Sequence, residues 1–178
     1  MSIVTKAGDG GKTFLCCGPM VKKDDLRVDM CGLLDELSSF LGISKSLVID
    51  GKTRQALDSA QKELFVIGSE VATPARFSRR LKKRLSGKDV KRLEVAIREL
   101  EEDASMKRCS FCIPGDDYIS STLDVARAVA RRAERRAVSL KNRRILNNAF
   151  ILIYLNRLSD LLYLMARRIE KEHKNSKL

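Results

Sequence analysis

An alanine-lined face on an arginine-rich helix constrains this chain more than any other feature. Within Leu123 to Val138, LDVARAVARRAERRAV, the residues Leu123, Ala126, Val129, Ala130, Ala133 and Ala137 recur at helical period on one side. Arg127, Arg131, Glu134 and Arg135 form a charged stripe beside them. Alanine at nearly every inward position lets a neighbouring helix approach closely, so the stripe rides on rigid backbone against a packed core. A charged stripe is most simply a solvated face, because charged residues mostly lie outside. Here it abuts small core residues, and a glutamate stands among arginines. That pattern suits a multiply bonded anion such as a phosphate chain, which arginine grips bidentately.

Composition extends the helical expectation to the whole chain. Only three of the 178 residues are proline and ten are glycine, which favours helices over a turn-rich β fold. The length suits one domain over residues 1–178, able to bury its core without metal or disulfide help. A net charge of +12 requires an anionic partner: nucleic acid, acidic lipid or a phosphorylated small molecule. No apolar run approaches the ~20 residues a membrane span needs, and the N-terminus MSIVTKAGDGG lacks a signal-peptide core. The expectation is a cytoplasmic protein. The five cysteines are an odd number, which argues against a disulfide framework. Cys109-x-x-Cys112 has zinc or redox spacing, but no second pair completes a site, so no metal centre is expected.

Residues 1–23 read as a glycine-rich N-terminal loop, and residues 24–178 as the bundle. Gly11-Lys12-Thr13 imitates the end of a Walker A motif, but Lys6 occupies the place of that motif's first glycine. What remains is a loop whose amides could form a phosphate nest, or else a frayed arm. A helix is expected from Asp24 or Asp25 to about residue 48. In it Asp35 stands beside the apolar stripe, either partnered or at its exposed edge. A second helix runs from about Thr53 to Ala72 and stops before Pro74. The basic run Arg76 to Arg84 follows, read as a solvated loop or a nucleic-acid contact with little aromatic interleaving. Ser86-x-x-Asp89 resembles a capping box for a third helix reaching Ala104. Residues 105–118 form a loop in which Phe111 is either tucked under the bundle or held against a ligand. The arginine helix comes next, then a last helix from about Leu146 to Glu172. The fold class is therefore all-α: an antiparallel five-helix bundle with a glycine-rich N-terminal loop.

Three stretches resemble one family, the PduO-type ATP:cob(I)alamin adenosyltransferases. The first is Thr5 to Gly11 with Lys23-Asp24-Asp25 and Gly32 to Ser39. The second is Phe111 to Gly115 leading into Val125-Ala126-Arg127 and Arg131 to Arg135. The third is Tyr154 to Asp160. Order and spacing match together from about residue 3 to residue 168. The resemblance implies a homotrimer with sites between subunits, using ATP, Mg²⁺ and cobalamin. It implies that Thr5, Lys6, Ala7, Gly8, Thr13 and Lys23 fold over the triphosphate. Arg131, Arg132, Ala133, Glu134 and Arg135 match the ATP-binding helix segment, with Asn156 its partner on the last helix. Arg127 and Asp35 match an ion pair near the cofactor, Phe111 the aromatic that excludes the lower axial ligand, and Tyr163 a position near the corrin. A flavin-type reductant and a B12-dependent enzyme are the implied protein partners, with no nucleic acid and no membrane.

The chain departs from the family pattern at several places. Ala7 replaces the usual Thr and Gly10 the usual Lys; Lys12 and Phe14 stand where small hydroxylic residues are common. Asp116 replaces the second glycine of a Pro-Gly-Gly turn, and Asp124 replaces a frequent His. The implied chemistry agrees with the residues, since cob(I)alamin is itself the nucleophile and the chain offers no nucleophilic triad. Its rivals are a basic helical bundle that binds nucleic acid and a non-catalytic cobalamin carrier.

Overall fold

The computed structural model describes residues 4, 6–16, 18–103 and 112–175. These residues are mostly helical, with one small sheet. Helix α1 spans Leu26–Leu47, α2 Gly51–Val71, α3 Gly87–Glu102, α4 Tyr118–Asn142 and α5 Ala149–Asn175. A short 3-10 helix covers Ala75–Arg80. Strands β1 (Lys12–Phe14) and β2 (Met20–Lys22) form an antiparallel hairpin ahead of α1.

Side-chain contacts fix the helix directions. Arg132 and Arg136 of α4 pair with Glu36 and Asp29 of α1, and Ser44 meets Thr122 at 2.9 Å, so these helices run antiparallel. Lys45–Asp58 and Gln61–Ser38 set α1 against α2 in the same way. Glu134–Asn156 and Asp124–Arg167 do so for α4 and α5. The alanine face of α4 is fully inside, as its periodicity predicts, with Ala126, Ala130, Ala133 and Ala137 at 0 % exposure. Opposite it, α5 contributes Ile151, Leu155, Leu158 and Leu162 to the same core. Burying one such leucine contributes about 1.5–3 kcal/mol.

By length and composition α5 is apolar enough to cross a membrane, although no such run is expected from the bare sequence. Polar residues interrupt its apolar ones in sequence, and half of its most apolar stretch is buried inside the protein. Core packing accounts for the composition.

Asx caps start three helices. Asp25 accepts from the Arg27 amide, Asp117 from those of Ile119 and Ser120, and Asp50 from those of Lys52 and Thr53. Because Asp50 caps from just before Gly51, α2 begins inside what reads as a turn at residues 49–52. The capping box is present as expected: the Ser86 amide donates to Asp89 Oδ2 at 2.9 Å. The Thr53 hydroxyl, 2.6 Å from Asp50, together with the Thr53 amide holds the Asp50 carboxyl below its ordinary value. Asp50→Ala is expected to cost about 1 kcal/mol at neutral pH by urea unfolding. A lowered carboxyl stabilises the fold above its unfolded pKa and loses that contribution as pH falls through and below it. The gap between variant and wild type should therefore narrow below about pH 4. A gap that persists unchanged at pH 2 would show that the cap does not act as a carboxylate.

Three features depart from the sequence expectation. The N-terminal segment carries a hairpin where no strand is expected, since three-residue strands leave no periodic trace. Its turn is seated by contact: Leu15 is buried, and a Cβ on Gly18 would lie 3.0 Å from Pro74 Cγ. The basic run is partly helical, and its exit is clamped by buried Glu70. That carboxylate accepts from the Leu85 amide at 2.6 Å, from Asn148 Nδ2 at 3.0 Å and from Arg84 Nε at 3.1 Å. Finally, α4 begins at Tyr118, inside the expected loop, because Asp117 caps it there.

Candidate active site

The charged residues of α4 divide among three directions once the helix is packed. On the side toward α1, Arg132 pairs with Glu36, and Arg136 Nε lies 2.5 Å from Asp29. These two arginines bolt the helices together. Toward α5, half-buried Glu134 accepts from Asn156 Nδ2 at 3.1 Å. The carbonyl of Asn156 accepts from Arg157 at 2.8 Å, which settles the orientation of the amide. Arg131 and Arg135 are exposed, and their guanidinium groups have no partner among the described residues. Ala133 lies wholly in the core and serves the site by close packing.

One turn toward the start of α4, Arg127 Nε donates to Asp124 Oδ1 at 3.0 Å. The other oxygen of Asp124 pairs with Arg167 of α5, a fully buried arginine that also lies 2.9 Å from Glu170. Arg167 Cζ sits 5.5 Å from the centre of the Tyr163 ring. This network is absent from the sequence expectation. The i,i+3 spacings Asp124–Arg127 and Arg167–Glu170 are visible in the chain, but nothing local says that the two pairs meet. Asp35 is exposed on α1, and no ion pair joins it to Arg127 within the chain.

The glycine-rich segment is ordered by its own backbone. The Asp9 amide donates to the Lys6 carbonyl, the Gly11 amide to that of Gly8 and the Lys23 amide to that of Gly11. Lys6 and Gly11 both hold positive φ, 57° and 72°. For a lysine this is uncommon backbone, of the kind that turns and binding loops impose. The Lys23 ammonium folds over Gly8, within 3.0 Å of where a Cβ would stand. Gly8 and Thr13 are half-buried, whereas Lys6, Ala7 and Lys12 are exposed. No hydrogen bond or ion pair joins Lys6, Thr13 or Lys23 to Arg131, Glu134 or Asn156. Thr5 and Phe111 lie outside the described residues.

One cleft of the single chain reaches these groups and another does not. A cleft of about 570 Å³ between α1 and α2 contains none of them. A cleft of about 340 Å³ lies on the α1 side of α4 and includes Arg132, Arg135 and Arg136. In the basic run, Arg76 and Arg80 stack on Phe77 at 4.8 and 5.0 Å, so that ring already has cationic partners. Among the described residues no group of three His, Cys, Asp or Glu could hold a metal ion.

The chain thus carries an arginine-bearing helical seam between α4 and α5 and a separate glycine-rich loop ordered by its own backbone. The cobalamin adenosyltransferase family model matches residues 3–169. A corrinoid adenosyltransferase from Citrobacter freundii is 39% identical over 166 residues, covering 93% of each chain. The PduO corrinoid adenosyltransferase of the same organism is 35% identical, and the chain spans about half of its length, 52%. A variant PduO-type ATP:corrinoid adenosyltransferase from Lactobacillus reuteri, solved with cobalamin and ATP, superposes with a TM-score of 0.84 at 33% identity. That match covers 97% of this chain and 93% of the other. This chain belongs to the cobalamin adenosyltransferase family.

Proposed function

We infer that the protein transfers the 5′-deoxyadenosyl group of ATP to the cobalt of a cob(I)alamin-type corrinoid. The products are adenosylcobalamin and triphosphate. The observation that carries this is Arg131, standing unpartnered on α4 beside the fixed Glu134–Asn156 hydrogen bond, in a chain that matches the family from residue 3 to residue 169. In the reaction the cobalt(I) lone pair attacks C5′, the C5′–O bond breaks and its electron pair departs with triphosphate. The protein supplies no nucleophile. Its work is to position ATP and to neutralise the leaving group.

Arg131 and Arg135 grip the phosphates, and Glu134 with Asn156 orients the nucleotide. Thr5, Lys6, Ala7, Gly8, Thr13 and Lys23 close over the triphosphate. Mg²⁺ travels with ATP on phosphate oxygens and water, as is usual for this ion. Arg127, Asp35, Tyr163 and Phe111 form the corrinoid side. Arg132 is occupied by Glu36 here, so its part is to hold α4 in place.

The active unit is a homotrimer of five-helix bundles with sites between subunits. One feature supports this: Asp35 stands exposed, and among the described residues Arg127 pairs with Asp124 instead of with it. Sedimentation equilibrium at micromolar concentration is expected to give three times the 20.0 kDa chain mass; a monomer would remove the inter-subunit site.

The decisive experiment is anaerobic incubation with ATP and chemically reduced cobalamin. Absorbance of the cobalt–carbon product and release of triphosphate are expected. Corrinoid binding without product would identify a carrier. Binding of DNA or RNA that weakens steeply with salt, with no product, would favour the nucleic-acid alternative.

A further inference from the structure

One buried cluster has no part in the reaction as described so far. Asp124 is 5 % exposed and Arg167 2 %, on facing helices. Asp124 divides its carboxylate between two arginines: Oδ1 takes Arg127 Nε at 3.0 Å, and Oδ2 takes Arg167. Glu170, 2.9 Å from Arg167, closes the row from the far side. Ions buried this deeply lose hydration that apolar residues would not, so stability alone is a poor reason for them. Their geometric effect is specific. By occupying Nε from inside the fold, Asp124 orients the guanidinium of Arg127. The two terminal nitrogens remain without a partner among the described residues, on a side chain that is 29% exposed.

We propose that Asp124 is the positioning residue of Arg127, itself held by Arg167 and Glu170. The row Glu170–Arg167–Asp124–Arg127 alternates in charge from the α5 interior to the corrinoid side of the site. An arginine without such a holder spreads over many rotamers, and its outer edge meets a ligand or a neighbouring carboxylate only part of the time. Tyr163, whose ring faces Arg167, is joined to the same row, so the two corrinoid-side residues of α4 and α5 are set by one framework. The inference rests on the adenosyl-transfer function proposed above.

The test is a double-mutant cycle on the full chain, assayed with ATP and chemically reduced cobalamin. Asp124→Asn keeps the size of the side chain and removes its charge, while Glu170 still compensates Arg167. It is expected to lower kcat about 10- to 100-fold, the range that a misplaced group can cost, with KM for ATP within about twofold of wild type. In an Arg127→Ala background the same substitution is expected to change kcat by less than about twofold. Equal fold-losses in both backgrounds would overturn the proposal, because a merely structural residue acts whether or not Arg127 is present. A parallel rise in KM for ATP would also overturn it. Should Asp124→Asn lose its helical circular dichroism, Asp124→Glu keeps a charge beside Arg167 and enters the same cycle under the same criteria. A wild-type chain that makes no cobalt–carbon product would overturn the proposed function and this inference together. An active wild type with multiplicative losses overturns the inference alone.

Discussion

Arg131→Ala is expected to lower kcat/KM for ATP by about 10²- to 10³-fold, as removal of a charge-stabilising group from a leaving-group site does. That factor corresponds to about 2.7–4 kcal/mol of lost transition-state stabilisation. The fold should be unaffected, because Arg131 is exposed and makes no hydrogen bond or ion pair to a described residue. Arg131→Lys should recover only a small part of the loss, since a point charge cannot reproduce two parallel hydrogen bonds to phosphate. Steady-state kinetics with chemically supplied cobalt(I) and a melting curve for each variant make the check. Near-normal turnover in the lysine variant would mean that Arg131 does not grip phosphate.

The second large effect falls on stability. Glu63 of α2 is 3 % exposed and holds three helices together. Its Oε2 accepts from the Tyr154 hydroxyl of α5 at 2.5 Å, and its other oxygen pairs with Arg92 of α3. Arg92 also lies 2.5 Å from Asp89, the acid of the capping box. Burial, reinforced by the Glu63 charge, pushes the Tyr154 phenol well above its ordinary range, so it stays a hydrogen-bond donor. Arg92→Ala would take the cation from two buried carboxylates; because its side chain is 56% exposed and the acids keep hydroxyl and amide donors, the expected cost is about 1–3 kcal/mol. Adding Glu63→Gln to that variant should restore part of the loss, because one of the stranded charges is then gone. Urea unfolding of the single and double variants reads this directly. A cost below about 1 kcal/mol for Arg92→Ala, the level of an exposed pair, would mean that solvent already compensates these acids.

Much of the site's scaffold is written in local spacing. The alanine face of α4, the Ser86–Asp89 capping box and the Asp25 cap all depend on residues within one or two turns of each other, and all three stand as the spacing predicts. The resemblance to corrin-handling relatives was legible for a similar reason, because its motifs are short and keep their order. The employment of each arginine was not. The seven arginines from Arg127 to Arg144 look alike in sequence, yet Arg132 and Arg136 are drawn to acids about a hundred residues earlier, and Arg131 has no partner among the described residues.

What the sequence determined by itself is therefore the set of helices, their buried faces and the excess of positive charge that calls for an anion. The helices and their faces follow from periodicity and capping, whose causes lie within a few residues of each position. Tertiary structure alone decided which charges remain available for that anion. It joined Asp124 to Arg167, seated Gly18 on Pro74 and gathered Leu85 and Asn148 around Glu70. A buried charge must find its partner wherever packing brings one, since leaving it unpaired costs several kcal/mol. That choice depends on which helices lie side by side, and residues distant in the chain leave no local mark of it.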